Sequence, residues 1–232
     1  MKKVLVGAVV VAALVWGVVS QGRYSWRQKL TVTVETPAGE VSGSSVSAVS
    51  WRKQWIRWDG MGWTYDLTGE AVVVEVAPGQ FLFALLKGAG TTEYMGSVAA
   101  ASISGREGRV IDGALFAEVQ GKRGRAAGVI AVPEAQYPML VTFGDIADPA
   151  SVRLVDPGDL AASFGPGVRL KAVSLEVTEE AVTEGVVEGV LGWLGEYQEN
   201  KWRLNGERCV ACPVNSENLA DLLSDGEFIQ RP

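Results

Sequence analysis

Leu30-Thr31-Val32-Thr33-Val34-Glu35 runs straight into Thr36-Pro37-Ala38-Gly39-Glu40. Strict alternation of Thr and Val has the period of two that sends one set of side chains to a buried face and the other to a solvated one, so it predicts a β-strand. Pro37 and Gly39 break the alternation in a tight turn. The residues from Glu40 to about Trp51 then return as the hairpin partner. Working outward, Ala71 to Val76 and Phe81 to Leu86 are apolar runs separated by Ala77-Pro78-Gly79-Gln80. This is a second hairpin, buried on at least one face.

An Ala-rich stretch from Thr91 to about Ala101 predicts a helix capped by Thr. Ser102 to Arg125 is rich in Gly and charge around one apolar segment, Ala114 to Val119, and receives no assignment. Gly128 to Val132 and Met139 to Phe143 have strand composition. Asp148-Pro149 and Asp156-Pro157 each set a capping carboxylate before Pro, and a short helix from Pro157 should stop at Gly165. Val168 to Val177 is a predicted strand, with Leu170, Ala172, Ser174 and Glu176 on one face and Lys171, Val173, Leu175 and Val177 on the other. An amphipathic helix is expected from Thr183 to Tyr197, weakened by Gly185, Gly189 and Gly192, and a last helix from Ser216. Gly43-Ser44-Ser45 reads as a bulge or bend within a strand. Strands outnumber helices and no repeat or heptad appears, so the fold class is α+β with a mainly antiparallel sheet and a few short helices.

Before all of this lie Lys2 and Lys3 and an uncharged run from Val4 to Val19. A basic start, an apolar stretch and then polar sequence is the pattern of a secretory signal or a signal anchor. At about 1.5 Å per residue the run spans roughly 24 Å, marginal for a hydrocarbon core of roughly 30 Å. The only cleavage site would follow Ser20, and it lacks the small-x-small pair. Trp16, Arg23, Tyr24, Trp26, Arg27 and Lys29 instead suit an interfacial belt. The expected organisation is a retained transmembrane anchor, residues 1–22, and an extracytoplasmic domain, residues 23–232. The expected location is a bacterial inner membrane, single-pass, with the C-terminal domain in the periplasm.

Net charge is −6, and −8 without Lys2 and Lys3, which argues against nucleic acid as a partner. Its distribution is uneven. Gln21 to Trp63 carries six basic and three acidic residues, whereas Ser174 to Phe228 carries twelve acidic and three basic. A basic end facing anionic headgroups and an acidic distal end follow as an expectation.

Glu35-Thr36-Pro37 to Gly43-Ser44-Ser45-Val46, Gly69-Glu70-Ala71-Val72, Leu82-Phe83-Ala84-Leu85-Leu86 and above all Phe143 to Leu175, with Phe164-Gly165-Pro166-Gly167-Val168-Arg169-Leu170, resemble an uncharacterised family of alphaproteobacterial membrane-anchored or exported envelope proteins. The resemblance covers most of the chain after the anchor. It implies a cell-envelope setting and brings no catalytic residues with it. The Cys pair near the end stands outside the family pattern.

Candidate chemistry is sparse. There is no His in the chain, which removes Ser-His and Cys-His catalysis and covalent haem. Cys209 and Cys212 have the spacing of a thiol-disulfide pair, the basis of an alternative reading as a redox protein, or of a structural disulfide. Their position near the carboxyl terminus, without a helix opening directly at the pair, disfavours redox catalysis. Ser44 or Ser45 could serve only a Ser-Lys arrangement. Asp145, Asp148, Asp156 and Asp159 could offer oxygen ligands, but their spacing matches no calcium loop, and neither a metal nor a cofactor is expected. Lys87-Gly88-Ala89-Gly90-Thr91-Thr92 lacks the ending of a phosphate-binding loop.

The most unusual cluster is Trp51, Arg52, Lys53, Trp55, Arg57, Trp58 and Trp63. Trp interleaved with cations suits a sugar, a membrane interface or a partner surface, against the alternative of core filling. The functional expectation is therefore a non-enzymatic binding or structural component of the envelope. Its partners would be the membrane, through the N-terminal helix, and an envelope protein or glycan.

Overall fold

The computed structural model describes residues 22–54, 62–88, 93–123, 128–208 and 216–231. The first hairpin is long: β1 (Arg23–Thr36) and β2 (Gly39–Lys53) pair without a register shift from Arg23↔Arg52 to Thr36↔Gly39. Alternation along β1 is obeyed throughout. Trp26, Gln28, Leu30, Val32 and Val34 are buried, and Arg27, Lys29, Thr31 and Thr33 face outward. β3 (Trp63–Glu70) lies beside β2 in the same sheet, and β4 (Val72–Ala77) and β5 (Gln80–Gly88) form the second hairpin. Two helices follow, α1 (Tyr94–Ser104) and α2 (Gly113–Gly121), then β6 (Ile130–Ala131), β7 (Pro138–Phe143) and β8 (Val152–Leu154). α3 (Ala161–Phe164), β9 (Arg169–Thr178), α4 (Val186–Val190), α5 (Leu194–Asn200) and β10 (Ile229–Gln230) complete the chain.

These strands make two antiparallel sheets, one of six in the order β10-β3-β2-β1-β9-β6 and one of four in the order β4-β5-β7-β8. The α+β class with mainly antiparallel strands and few short helices is thus the observed one. Among the described residues no helix is long and apolar enough to cross a membrane, and Val4 to Val19 lie outside them.

The two sheets share one core. Leu30, Val32 and Val34 of β1 meet Val72, Val74 and Val76 of β4 and Leu82, Ala84 and Leu86 of β5. The other face of the four-stranded sheet is covered as well. Val73, Phe83, Leu85 and Val141 pack under Val187, Leu191, Leu194, Leu204, Leu223 and Phe228 from the C-terminal part. Burial on both faces explains why β5 reads as an unbroken apolar run rather than an alternating one. The remaining inner face of the six-stranded sheet, around Trp26, Gln28 and Trp51, is closed by α1 and α2. From Tyr94 to Ala101 every residue of α1 is buried, in keeping with a helix that carries no charged side chain.

Between β3 and β4 the chain changes sheets, with Ala71 alone between the two strands. The crossing passes over the inner face of β2, whose residues there are Gly43, Ser45 and Ser47. A Cβ at Gly43 would lie 1.9 Å from the Val73 carbonyl oxygen, and one at Gly69 would lie 2.3 Å from Ser47 Oγ. Ser45 Oγ donates to the Glu70 carbonyl at 2.6 Å. Gly43-Ser44-Ser45 therefore makes no bulge or bend in the pairing; its small side chains give clearance to the crossing chain. The irregularity predicted there occurs instead in β9, where Thr33↔Ala172 is followed by Val34↔Leu170. Lys171 is the extra residue, so Leu170 joins Val173, Leu175 and Val177 on the inner face and Lys171 turns outward to pair with Glu40.

Once β3 has left, the edge of β2 is open from Ser47 back, and the segment after β9 fills part of it. Arg27 donates to the carbonyls of Glu179 and Glu180, and Lys29 pairs with Glu180 at 3.1 Å as this segment crosses the outer face. Val46 N–H then donates to Thr183 Oγ1, and Thr183 N–H donates to the Val46 carbonyl. Immediately beyond, the carboxylate of Glu70, 2% exposed, accepts the N–H groups of Gly185, Val186 and Val187 at 3.0, 3.0 and 3.4 Å. The helix expected from Thr183 to Tyr197 is consequently two short ones, α4 and α5. The last predicted helix is only a 3-10 turn, Leu219–Asp221, too short to bury an amphipathic face.

Gly43→Val should cost about 3 kcal/mol or more in urea unfolding, because the crossing chain has no room to yield. Ser44→Val, on the exposed face of the same strand, should stay within about 0.5 kcal/mol. Glu70→Ala removes the acceptor of three N–H groups, of which that of Val187 is buried, and should cost about 2–3 kcal/mol, with Glu70→Gln losing less because an acceptor remains.

Candidate functional site

Odd-numbered residues of β2 face inward, so Trp51 points into the core and is 1% exposed. Its indole Nε1 donates to the Gly96 carbonyl at 2.9 Å. Helix α1 approaches this closely because a Cβ at Gly96 would lie 2.5 Å from the Tyr65 ring and 2.9 Å from Trp51. Phe116 of α2 stands at the centre of the group. Trp51 stacks on it at 4.9 Å and 15°, Trp63 meets it edge-on at 5.6 Å and 86°, and Trp26 and Tyr24 pack at 5.8 and 6.0 Å. Gln28 is buried among them, accepting from Trp26 Nε1 at 2.8 Å and donating to the Met95 carbonyl at 2.7 Å.

The seven residues singled out in the sequence thus separate. Trp51 is an interior residue and offers no ring face to a ligand, because the strand parity that exposes Arg52 buries its neighbour. Trp63 is half-buried at the rim of the same cluster. Arg52 lies exposed on the outer face and pairs with Asp66 at 2.7 Å. Lys53 is exposed, and Trp55, Arg57 and Trp58 lie outside the described residues.

Helix α2 is held by its first turn. Asp112 Oδ1 accepts the N–H groups of Ala114 and Leu115, and Oδ2 accepts from Arg106. These bonds, the one from Ala114 foremost, hold the Asp112 carboxyl below the usual carboxylate range. A depressed folded-state value means that this stabilisation is present above the unfolded carboxylate pKa and is lost as pH falls through the folded one.

Three parts of the chain meet at this end of the sheet. Lys53 N–H donates to the Gly22 carbonyl at 2.7 Å, Gln54 N–H donates to the Gly62 carbonyl at 3.0 Å, and Ser25 N–H donates to Gln120 Oε1 at 2.8 Å. The point where the chain enters β1, the two ends of the 55–61 connection and the end of α2 are therefore neighbours. Arg23, Lys53 and Arg123 are exposed there, and none makes an ion pair among the described residues. At the opposite tip of the hairpin Glu35 and Glu40 are neutralised by Arg169 and Lys171. One residue of the acidic C-terminal half, Glu180, lies across β1 against Lys29.

A cleft of about 650 Å³ runs along β3, between Tyr65, Asp66, Leu67 and Thr68 on one side and Leu86, Lys87, Ser224, Gly226, Glu227, Gln230 and Arg231 on the other. Glu227 Oε2 accepts both the N–H and the hydroxyl of Ser224, while Oε1 faces Lys87 Nζ at 4.0 Å. Burial holds nearby Asp225 above the usual carboxylate range, with the Glu227 charge acting in the same direction. Arg231 is taken by Glu188. Each charged side chain of the cleft has a partner, Lys87 and Glu227 each other, Asp66 the outer-face Arg52 and Arg231 the neighbouring Glu188, which does not favour acid–base work.

The remaining candidates have structural roles. Asp145, Asp148, Asp156 and Asp159 each accept a backbone N–H two or three residues on, from Ala147, Ala150, Gly158 and Ala162. Among the described residues no three His, Cys, Asp or Glu side chains converge as a metal site. Ser44 is exposed and Ser45 is bound to the crossing chain. Cys209, Cys212 and residues 89–92 lie outside the described residues, and among residues 216–231 only 3-10 turns and β10 follow the pair. No family model, curated protein or solved structure matches the chain.

Sequence reasoning missed two elements that build this region. Trp63, Tyr65 and Leu67 alternate with Thr64, Asp66 and Thr68, a strand signal that the count of tryptophans obscures. Asp112 ahead of Gly113-Ala114-Leu115-Phe116 is a capping pattern, and Leu115, Phe116 and Val119 follow it at helical spacing.

Phe116→Ala should cost about 3–5 kcal/mol and shift tryptophan emission to the red as water reaches the cluster. In acid titration below about pH 4, Asp112→Asn should unfold over a narrower range of loss than the parent, because its cap no longer titrates.

Proposed function

We propose that this chain is a binding component of a bacterial cell envelope, held in the inner membrane by residues 4–19, with its folded part on the periplasmic side and its basic, aromatic end seated on the lipid surface. One observation carries the reading: the register Arg23↔Arg52, with Lys53 hydrogen-bonded to Gly22, sets the start of β1 beside the Trp- and Arg-rich connection. A membrane span ending near residue 21 leaves almost no tether. The end of the sheet that carries Arg23, Lys53, Arg123 and Trp63 then has to lie against headgroups.

Cations of this kind contribute about 1 kcal/mol each near an anionic surface, and a half-buried indole suits the interface. The resemblance to anchored or exported envelope proteins points to the same compartment. A binding role is preferred to a catalytic one because every charged group of the β3 cleft is already held in an ion pair.

The test uses the full chain in nanodiscs containing a nickel-chelating lipid and spin labels at Gln54→Cys or Ala38→Cys, both exposed positions. At about 3.4 Å per residue the two sites stand roughly 54 Å apart along the hairpin. Strong broadening at position 54 and none at 38 is expected, reduced when Arg23 and Lys53 are both changed to Glu. Equal signals at the two sites, or recovery of the full chain in the soluble fraction of cells, would sink the proposal.

A further inference from the structure

The outer face of the six-stranded sheet holds a hollow of about 280 Å³ toward its basic end. Two rows of the strand register build it, Arg27↔Ala48↔Thr68 and, one pleat nearer the chain's entry, Ser25↔Ser50↔Asp66. Residues opposite one another in an antiparallel sheet share a face, so Ser25 and Arg27 form one wall, Asp66 and Thr68 the other, and Ala48 and Ser50 the floor. Ala48 makes the depression, because a single methyl group fills the place between two longer side chains. Arg123, just beyond α2, lines the same hollow, where β9 has not yet joined β1 and Gln120 holds the Ser25 N–H. The two walls differ in charge. Arg27 Nη1 donates to the Glu179 and Glu180 carbonyls at 2.9 Å each, and its Nε and Nη2 make no hydrogen bond among the described residues. Arg123 is exposed and its side chain makes no ion pair among them. Opposite, Asp66 Oδ2 accepts from Arg52 at 2.7 Å and from Ser50 Oγ at 3.4 Å, while Oδ1 accepts from none of the described residues. Asp66 and Arg52 offset one another, which leaves the hollow with the positive charges of Arg27 and Arg123.

We infer that this hollow binds the phosphate ester of a small polyol, with the phosphate held by the Arg27 and Arg123 guanidinium groups and a hydroxyl of the ester donating to Asp66 Oδ1. Guanidinium groups match phosphate in shape as well as charge, and the hydroxyls of Ser25 and Thr68 stand on the two walls to complete the bonding. A bare phosphate would leave Asp66 Oδ1 without a donor. An uncharged sugar would leave both arginines unused. Two strand spacings put the axes of β1 and β3 about 10 Å apart, which suits a hydroxyl carried on a short carbon chain beyond the ester oxygen. The volume agrees, since it falls just below the range of roughly 300–1,000 Å³ that takes drug-sized ligands. A free ester and a phospholipid headgroup present the same chemistry here, and the experiment separates them. Neither depends on the membrane seating proposed above.

The experiment follows the amide resonances of the full chain in a maltoside detergent, which brings no phosphate, during titration with glycerol 3-phosphate, inorganic phosphate or glycerol. Glycerol 3-phosphate should shift Ser25, Ala48, Ser50 and Thr68 and bind about fivefold or more tighter than inorganic phosphate, while glycerol alone shifts none. Arg27→Gln and Arg123→Gln should each weaken it about fivefold or more. Asp66→Ala should erase the preference over inorganic phosphate, because the acceptor is gone and Arg52 is released to either anion. Ala48→Leu fills the floor without changing a charge and should abolish binding, with the dispersion of the other amides reporting that the fold is kept. In nanodiscs containing phosphatidylglycerol, shifts of the same four amides with no ester added assign the headgroup as the source, and unshifted amides assign the free ester. The proposal is overturned if glycerol 3-phosphate shifts none of the four, or shifts Arg23 and Lys53 in their place. It is equally overturned if inorganic phosphate binds the parent as tightly, or if folded Ala48→Leu and the two arginine variants bind as the parent does.

Discussion

Everything in this fold is arranged around one change of sheet. Between Gly69 and Val73 the chain leaves the six-stranded sheet, crosses the inner face of β2 at van der Waals distance and starts the four-stranded one. The crossing requires Gly43, Ser45 and Ser47 beneath it, and it opens the β2 edge that Thr183 then fills. Glu70 is carried at the corner itself, so its buried carboxylate fixes where α4 begins and with it the layer over the second face of the four-stranded sheet. A buried acid is costly unless its oxygens are satisfied, and three converging N–H groups offset that cost while making the position of each partner depend on the others.

How much of this was legible depended on the range of the cause. The β1–β2 hairpin was readable because its alternation is local and its turn carries Pro37 and Gly39. The β4–β5 hairpin was readable for the same reason, although a second covered face could be inferred only as burial on at least one side. Gly43-Ser44-Ser45 was noticed and misread. Its meaning lies in Val73 and Glu70, some thirty residues away, and no local rule distinguishes a bulge from a clearance. Lys171 shows the converse, since nothing in Arg169-Leu170-Lys171-Ala172 announces the extra residue that moves Leu170 to the inner face.

The candidate sites divide along similar lines. Counting tryptophans assigned a surface role to Trp51, whose buried environment is set by Gly96, in a helix predicted from its Ala-rich composition, and by Phe116, in a helix not placed from sequence. The cleft along β3 left no composition signal at all. Its walls come from β3, the end of β5 and residues 224–231, which only the fold brings together. β3 thus carries, along eight residues, an aromatic rim at Trp63, one wall of the cleft from Tyr65 to Thr68 and the corner at Glu70.

The position of β1 has a mechanical consequence. Residues 1–21 lead directly into a strand held by β2 on one side along its whole length and by β9 on the other from Arg27 to Glu35. Tension arriving at residue 22 acts along the strand axis, so the ladder bonds are loaded together in shear rather than peeled one by one. Extraction of β1 would have to break two ladders at once and drag Trp26, Leu30, Val32 and Val34 through the core. Force applied at β10 would meet only two paired residues.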